Sequence, residues 1–129
     1  MQFAVPRRGL PGAASFRQWG LAVASSRVTL RIVGAAEGRR LNRKYRKRNY
    51  ATNVLSFATG DIVLCHPVIR KEAKQQRKSL RAHYAHLVVH GVLHLRGHDH
   101  RGKRDAARME RREIRLLARL GFADPYKVK

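Results

Sequence analysis

The chain has 129 residues, and its hydrophobic content of 43% is typical of a folded protein rather than a disordered one. Its 29 Lys and Arg residues against 8 Asp and Glu residues give a formal net charge of +21, which points to a polyanionic partner such as RNA. The length predicts a single domain over residues 1–129, and no apolar run reaches the roughly 20 residues that span a bilayer.

The charge and the cysteine content leave some alternatives open. A genome that favours arginine is a simpler explanation of the charge, and an anionic membrane surface is a weaker one. The acid-poor N-terminus, whose first acidic residue is Glu37, resembles an organelle transit peptide, but it can be read as regular structure. The single cysteine, Cys65, cannot form an internal disulfide, which favours a reducing compartment such as the cytoplasm.

The first third of the chain alternates short strands with helices. Apolar–polar alternation predicts strands over residues 1–5 and 28–33. Ser15 is a candidate N-cap for a helix over 15–25, and a second helix is predicted over 35–45. The residues expected to face the core are Phe16, Trp19, Leu21 and Val23 in the first helix and Ala36, Leu41 and Tyr45 in the second.

A hairpin follows. Strands are predicted over 53–57 and 61–65, with Cys65 buried in the second. The short link at 58–60 ends in a glycine, which favours antiparallel pairing. The longer helical connections elsewhere are compatible with parallel crossovers, so we expect a mixed four-stranded sheet.

The second half of the chain is predicted to be helical. Pro67 suits the first turn of a helix to about residue 76, and Ser79 caps a helix that runs through His94. This helix is apolar nearly all round, so we expect it to be the central and most buried one. A last helix over 103–120 ends at Gly121 and has an apolar stripe of Ala106, Met109, Leu116, Leu117 and Leu120. The predicted fold class is α+β, with about five helices packed around the small sheet.

Residues 86–100 contain five of the seven histidines. His90 and His94 are four residues apart, so on a helix they share one face. Gly97 allows the chain to leave the helix, after which His100 can return toward the pair. Three imidazoles with a fourth position left to water are the ligand set of a catalytic zinc site, and we predict one Zn²⁺ per chain.

Two features of this stretch limit its interpretation. The spacing matches the metzincin protease signature H-E-x-x-H-x-x-G-x-x-H, but Gly91 stands where the protease has its glutamate base. Peptide hydrolysis is therefore disfavoured. His98 is also four residues from His94 and is an alternative ligand, although Gly97 argues against a helix that continues so far.

The sequence His-Gly-Val-Leu-His-Leu-Arg-Gly-His-Asp-His at 90–100 resembles the H-G-x-L-H-L-x-G-Y-D-H motif of the YbeY family. Further stretches resemble the family's L-N-x-x-Y-R, T-N-V-L-S-F, G-D-I/L and M-E-x-x-E motifs, at residues 41–46, 52–57, 60–62 and 109–113. The family consists of bacterial metal-dependent endoribonucleases that help to mature 16S ribosomal RNA. The resemblance covers most of the chain and implies an α+β fold.

The resemblance has two departures. His98 replaces the family's usual tyrosine but leaves the three ligand positions intact. The loop at 58–60 is shorter than is usual in the family, which leaves open what this cleft-side loop contributes to substrate reach or regulation.

The resemblance also implies a role for Arg46, which matches the family's functional arginine. Its guanidinium would grip a phosphate through two hydrogen bonds during catalysis, although from the sequence alone it is one solvated arginine among many. The basic block around it is interpreted as an RNA-binding surface, with Tyr45 or Tyr50 stacking on a base, or else as a solvated helix face. Its other members are Arg43, Lys44, Lys47 and Arg48.

Several other polar residues are candidates for support of the metal ligands. His83 and His86 extend the histidine face, either toward the cleft or as core hydrogen-bonding residues. Asp99 can orient a ligand imidazole or cap the turn after Gly97. Glu110 and Glu113 fall on the apolar side of the last helix, where a carboxylate needs a partner: a basic side chain or a proton-relay group.

Two functions from different classes follow. The first is a zinc-dependent, single-strand-specific endoribonuclease that acts in 16S ribosomal RNA maturation and ribosome quality control, with ribosomal RNA and the small ribosomal subunit as partners. The second is a non-catalytic ribosome-associated RNA-binding factor, in which a fourth protein ligand such as His98 closes a structural metal site. A membrane partner and a small-molecule substrate are not expected.

Overall fold

The computed structural model describes residues 1–23, 28–96 and 102–127. The strands in these ranges form one four-stranded sheet of order β1-β2-β4-β3, and helices pack around it, which confirms the α+β class. In chain order the elements are β1 (Gln2–Phe3), α1 (Ala13–Val23), β2 (Thr29–Val33), α2 (Ala35–Arg46), β3 (Val54–Ser56), β4 (Asp61–Cys65), α3 (His66–Gln75), α4 (Leu80–Leu95) and α5 (Lys103–Arg119).

The sheet is mixed, as predicted. β1, β2 and β4 run parallel, whereas β3 pairs with β4 in an antiparallel hairpin. Gly60 closes the hairpin with φ of +94°, a conformation that L side chains rarely adopt. Along β4, Ile62 and Leu64 join the larger core, while Val63 and Cys65 join a smaller one on the opposite face.

The helix α4 lies at the centre of the larger core, as expected from its apolar sequence. Nine of its residues are buried, and it contacts α1, α3, α5 and β3. Its start is fixed by Ser79, whose Oγ accepts a hydrogen bond from the backbone amide of Ala82 at 3.0 Å. Phe16 of α1 packs edge-to-face against both Trp19 and Tyr84, with ring centroids 5.3 Å apart in each pair. The side chains of α4 are therefore held by neighbouring elements on several sides.

Several details of the N-terminal helices differ from prediction. The helix α1 begins at Ala13, so Ser15 lies inside it and accepts a hydrogen bond from Arg81 at 3.0 Å instead of capping. Leu21 is 66% exposed rather than buried, because Gly20 occupies the inward position next to it. The predicted end of this helix, residues 24 and 25, lies outside the described residues.

The face through which the helix α2 packs matches the prediction only in part, since Leu41 packs against the smaller core as expected. Ala36 is exposed, Tyr45 is 53% exposed, and the buried residues are Gly38 and Asn42. Gly38 explains the choice of face, because a Cβ there would lie 2.9 Å from Sγ of Cys65. The absence of a side chain lets α2 approach β4 closely. Hydrophobicity alone could not show that a glycine face would be the contact face.

The described residues include no helix with the length and apolar character needed to cross a membrane.

We expect Gly38→Ala to lower the free energy of unfolding by about 1–3 kcal/mol, because Cys65 is packed and the added methyl group would overlap it. Gly20→Ala is the matched control. It also lies in a helix, but a Cβ there meets nothing within 4 Å. The higher helix propensity of alanine should therefore raise the free energy of unfolding by up to about 1 kcal/mol. Urea unfolding of both variants tests this. Equal effects would contradict the close packing of α2 on β4.

Candidate metal centre

One face of α4 carries four histidines. His83, His86, His90 and His94 follow one another at intervals of three or four residues, which places them along one side of the helix. The ring centroids of His86 and His90 are 6.2 Å apart, and those of His83 and His86 are 6.3 Å apart. His83 is buried, whereas His86, His90 and His94 are half-buried. The structure therefore brings two of the three predicted ligands, His90 and His94, onto one helix face.

The remaining predicted residues of this stretch fall after α4. His100, the predicted third ligand, Asp99, the predicted orienting carboxylate, and His98, the alternative ligand, lie outside the described residues. Their roles stay predictions.

Glu113 of α5 meets the histidine face from the opposite side. Its side chain has no solvent exposure, yet it is a carboxylate. Oε1 contacts Nδ1 of His90 at 2.5 Å, and Oε2 contacts Nε2 of His86 at 2.9 Å. The hydroxyl of Tyr126, in the segment after α5, also donates to Oε2. Among the described residues, Glu113 thus has two histidines and a tyrosine as hydrogen-bond partners, while Glu110 is exposed.

The hydrogen bonds keep Glu113 ionised despite its burial. Burial alone would raise its pKa, but the bonds from His86, His90 and Tyr126 outweigh that effect and hold the pKa at about 2. Burial, reinforced by Glu113, raises the pKa of Tyr126, which keeps its hydroxyl protonated as a donor. An ionised carboxylate can only accept hydrogen bonds, so the ring nitrogens that face it must carry protons. In neutral His90 the lone pair is then on Nε2.

His86, His90 and Glu113 also form a group that could hold a metal ion, because one ligand atom from each lies within 4.8 Å of the others. Two imidazoles and one carboxylate are a known ligand set of catalytic zinc. The residues on this face therefore fit a transition-metal ion by donor type. A carboxylate in this position can also act from outside the metal, by orienting a ligand imidazole through its second nitrogen.

Gly91, next to His90, lies against the sheet. A Cβ at this position would be 3.2 Å from Oγ of Ser56 and 3.3 Å from two atoms of Ile62. Ser56 donates a hydrogen bond from Oγ to the backbone carbonyl of Gly91 at 3.3 Å. The position that holds glutamate in the protease signature is thus filled here by a close contact between α4 and the β3–β4 hairpin.

The same serine connects Arg46 to the histidine helix. Nη2 of Arg46, at the end of α2, donates to the backbone carbonyl of Ser56 at 3.2 Å. Ser56 in turn contacts Gly91, whose chain neighbour is His90. Arg46 is exposed, and Ser56 is the single residue between it and this part of α4. In the described part of the chain, Arg46 is thus connected to the histidine helix through Ser56.

The rest of the predicted RNA-binding block is exposed at the C-terminal end of α2. Lys47 has a φ of +58° and forms the C-cap, so the chain turns within the block. Tyr45 and Tyr50 are each 53% exposed, and Tyr45 packs edge-to-face on Phe57 with ring centroids 5.2 Å apart. The basic residues of the block are Arg43, Lys44, Lys47 and Arg48, all exposed beside Arg46.

Two residues of the site were missed by the sequence analysis. Tyr126 lies beyond the last helix, where no periodicity indicates its contact. Glu72 of α3 accepts a hydrogen bond from Nε2 of His83 at 3.0 Å, so His83 pairs with α3 rather than with α5. Burial lowers the pKa of His83, and Glu72 acts in the opposite direction. The scarcity of acidic residues, 8 in the chain, was the one signal that could have drawn attention to Glu72.

The site combines histidines and a carboxylate that could hold a cation with exposed arginines and lysines nearby. This combination is suited to a metal-dependent hydrolase of an anionic substrate. Comparison with known proteins defines the family. The model of the family described as Endoribonuclease YbeY matches residues 14–121. The chain belongs to the YbeY family.

Individual relatives support this assignment. The chain is 48% identical to Endoribonuclease YbeY from Stenotrophomonas maltophilia strain R551-3, over 98% of this chain and 91% of the relative. It is 49% identical to Endoribonuclease YbeY from Nitrosomonas eutropha, over 100% of this chain and 98% of the relative. The solution structure of TM1509 from Thermotoga maritima has a similar fold, with a TM-score of 0.58 and 18% identity over 98% of this chain and 97% of the other.

We expect Glu113→Gln to lower the free energy of unfolding by about 3 kcal/mol, because an amide cannot replace a buried ionised acceptor of three hydrogen bonds. Glu110→Gln, one turn away and exposed, removes the same charge and should change it by less than about 0.5 kcal/mol. Denaturant unfolding measures both. Imidazole ¹⁵N spectra should show that only Glu113→Gln alters the tautomer of His90.

The pH dependence gives an independent check in metal-free protein. The pKa of Glu113 is lowered from 4.5 to about 2 in the folded state. Its contribution to the free energy of unfolding is therefore full above pH 4.5 and is lost as the pH falls toward 2. The gap between the native protein and Glu113→Gln should therefore close over that range. A gap that is constant with pH would show that the carboxylate is not held by these bonds.

Proposed function

We propose that this protein is a zinc-dependent endoribonuclease that cuts single-stranded regions of ribosomal RNA in the cytoplasm, in 16S maturation and ribosome quality control. The observation that carries the proposal is the buried Glu113 bonded to Nδ1 of His90, on a helix that also presents His94. Membership of the YbeY family supports the RNA substrate, and the net charge of +21 supports a large polyanion.

In this proposal His90, His94 and His100 hold one zinc ion, and Glu113 acts from outside the ligand set. A carboxylate on one nitrogen of a ligand histidine fixes the ring and raises the basicity of the other nitrogen. The competing arrangement is the group of His86, His90 and Glu113, whose ligand atoms lie close together. His90 belongs to both sets, so the two arrangements are separated by His86 and His94.

Each residue of the proposed site then has a defined role. When bound, zinc supplies a Lewis acid for the phosphoryl oxygen and a water whose pKa is lowered to about 7. Glu113 keeps the proton on Nδ1 of His90. Arg46 binds the phosphate at which cleavage occurs and stabilises the negative charge that develops there. The exposed basic residues around Arg46 bind the neighbouring phosphates, and the small ribosomal subunit presents the RNA.

The main experiment is cleavage of a single-stranded ribosomal RNA fragment by chelator-treated protein, with and without added zinc. We expect zinc to restore cleavage in the native protein and in Glu110→Gln but not in His94→Ala, because loss of one of three ligands removes the metal. His86→Ala should retain zinc and lose less activity. Bound zinc, measured by atomic absorption, reports the ligands independently of the reaction.

The outcomes separate the alternatives. Zinc lost from His86→Ala but kept by His94→Ala would favour the group with Glu113 as a ligand. Tight RNA binding with stoichiometric zinc but no cleavage under any condition would favour the non-catalytic ribosome-associated factor, with the metal in a structural role.

Arg46→Ala should lower kcat by about 10²–10³-fold while zinc content and folding stay unchanged, because one donor to the developing charge is lost. Arg46→Lys should recover little of this, since lysine cannot form two parallel bonds to a phosphate. Arg39→Ala is the matched control: it is exposed on the same helix and bonds Asn49 at 3.0 Å. An equal loss in Arg39→Ala would mean that Arg46 acts only through net charge.

A further inference from the structure

The outer side of α5 carries a set of arginines that the proposed reaction does not use. Successive members are three or four residues apart, which places them along one side of the helix. All of them are exposed, while the buried residues of α5 lie on the side that faces the core. With a rise of about 1.5 Å per residue, the set is about 22 Å long. This arginine row consists of Arg104, Arg108, Arg111, Arg115 and Arg119.

The row is unfavourable for the helix that carries it. Like charges three or four residues apart repel each other on a helix surface, and every member of the row has at least one such neighbour within the row. Arg104 also lies in the first turn, where the partial positive charge of the helix N-terminus disfavours cations. The stability of α5 therefore does not account for the row.

Acidic side chains do not neutralise the row in the described part of the chain. Of the two exposed acidic residues of α5, Asp105 and Glu110, only Asp105 is three or four residues from a member of the row, Arg108. The ion pairs formed among the described residues involve Arg31 and histidines instead. Five guanidiniums thus face solvent together, which concentrates positive charge on this side of the molecule.

The composition of this face indicates what it binds. Its exposed residues include no aromatic side chain and no apolar side chain larger than alanine. A protein partner typically binds through a core rich in aromatic and apolar residues, and a single RNA strand typically stacks its bases on aromatic rings. A face of guanidiniums is instead suited to phosphates, which arginine binds through two parallel hydrogen bonds.

We propose that the arginine row is a second RNA-binding surface, which binds the phosphate backbone of a double-helical RNA segment. Double-stranded RNA is recognised mostly by its shape and through its phosphates and 2′-hydroxyls. A duplex holds its phosphates at fixed intervals. A straight row of donors on a rigid helix can therefore contact several of them without the entropic cost of ordering a flexible strand.

The row and the proposed metal site lie on opposite sides of α5. Glu113 faces His86 and His90 of α4, whereas the row faces solvent. A duplex bound to the row therefore stays outside the site, beside the single strand that the site is proposed to cut. The inference goes beyond the proposed cleavage, because binding to the row requires neither the metal nor Arg46.

The test is binding of a blunt RNA duplex of about 16 base pairs, and of one of its strands alone, to the zinc-loaded protein. Fluorescence anisotropy measures binding over a series of salt concentrations, because the salt dependence reports the number of phosphates contacted. Gel electrophoresis after each titration checks that the RNA is uncut.

The variant that combines Arg108→Gln with Arg115→Gln, called the row variant, removes two members of the row and keeps good helix-forming residues. At roughly 0.1 M salt we expect it to bind the duplex about tenfold more weakly, with a salt slope smaller by about 2, because two phosphate contacts are lost. Its binding of the single strand should change by less than about threefold, because a single strand relies on base stacking elsewhere.

The matched control combines Arg8→Gln with Arg17→Gln. Both arginines are exposed, one before α1 and one within it, and the pair removes the same charge as the row variant. Its binding of the duplex should stay within about twofold of the native protein, because salt screens charges that do not touch the RNA. An equal loss of duplex binding in the control and the row variant would mean that only net charge matters, and would overturn the proposal.

The remaining outcomes are also decisive. Duplex binding that is absent in the native protein at low salt, that is unchanged in the row variant, or that falls there only as much as single-strand binding would overturn the double-helical partner. Polyglutamate binding that is lost in the row variant while duplex binding persists would assign the row to an acidic protein and overturn the proposal as well. Duplex binding through the row by a protein that cuts no RNA would support this inference and remove the proposed function.

Discussion

The burial of the Glu113 carboxylate between α4 and α5 is the interaction on which the site depends. Removing an ionised carboxylate from water costs several kcal/mol, and hydrogen bonds from His86, His90 and Tyr126 offset this cost. These bonds fix how α5 lies against α4 and which nitrogen of His90 carries the proton. The packing of two helices and the chemistry of a candidate metal ligand are therefore set by the same side chain.

Two glycines determine how closely the helices approach the sheet. Gly38 brings α2 against Cys65 on one face, and Gly91 brings α4 against Ser56 and Ile62 on the other. Both are close approaches that a larger side chain would prevent. At Gly91 the consequence is also chemical, because the position of the protease glutamate is used for packing and Ser56 joins α4 to Arg46.

The few acidic side chains of this basic protein have specific partners. Glu37 pairs with Arg31 at 2.8 Å on the far side of the sheet from α4, which is a local structural role. Glu72 and Glu113 both face histidines of α4. An excess of 29 basic over 8 acidic residues repels itself unless a polyanion screens it. In such a chain, the two carboxylates that converge on α4 have a specific role, which is to hold its histidines.

The sequence by itself determined the order of elements, the antiparallel hairpin, the central position of α4 and the shared face of His90 and His94, because these follow from local periodicity, turn chemistry and helix geometry. It also indicated that Glu113 needed a partner. Tertiary structure alone decided that the partners are His86, His90 and Tyr126, that Glu72 holds His83, and that α2 packs through Gly38 rather than Tyr45. These contacts join residues far apart in the chain. They depend on how closely backbones approach and on which hydrogen bonds offset burial, and neither property has a period that a sequence displays.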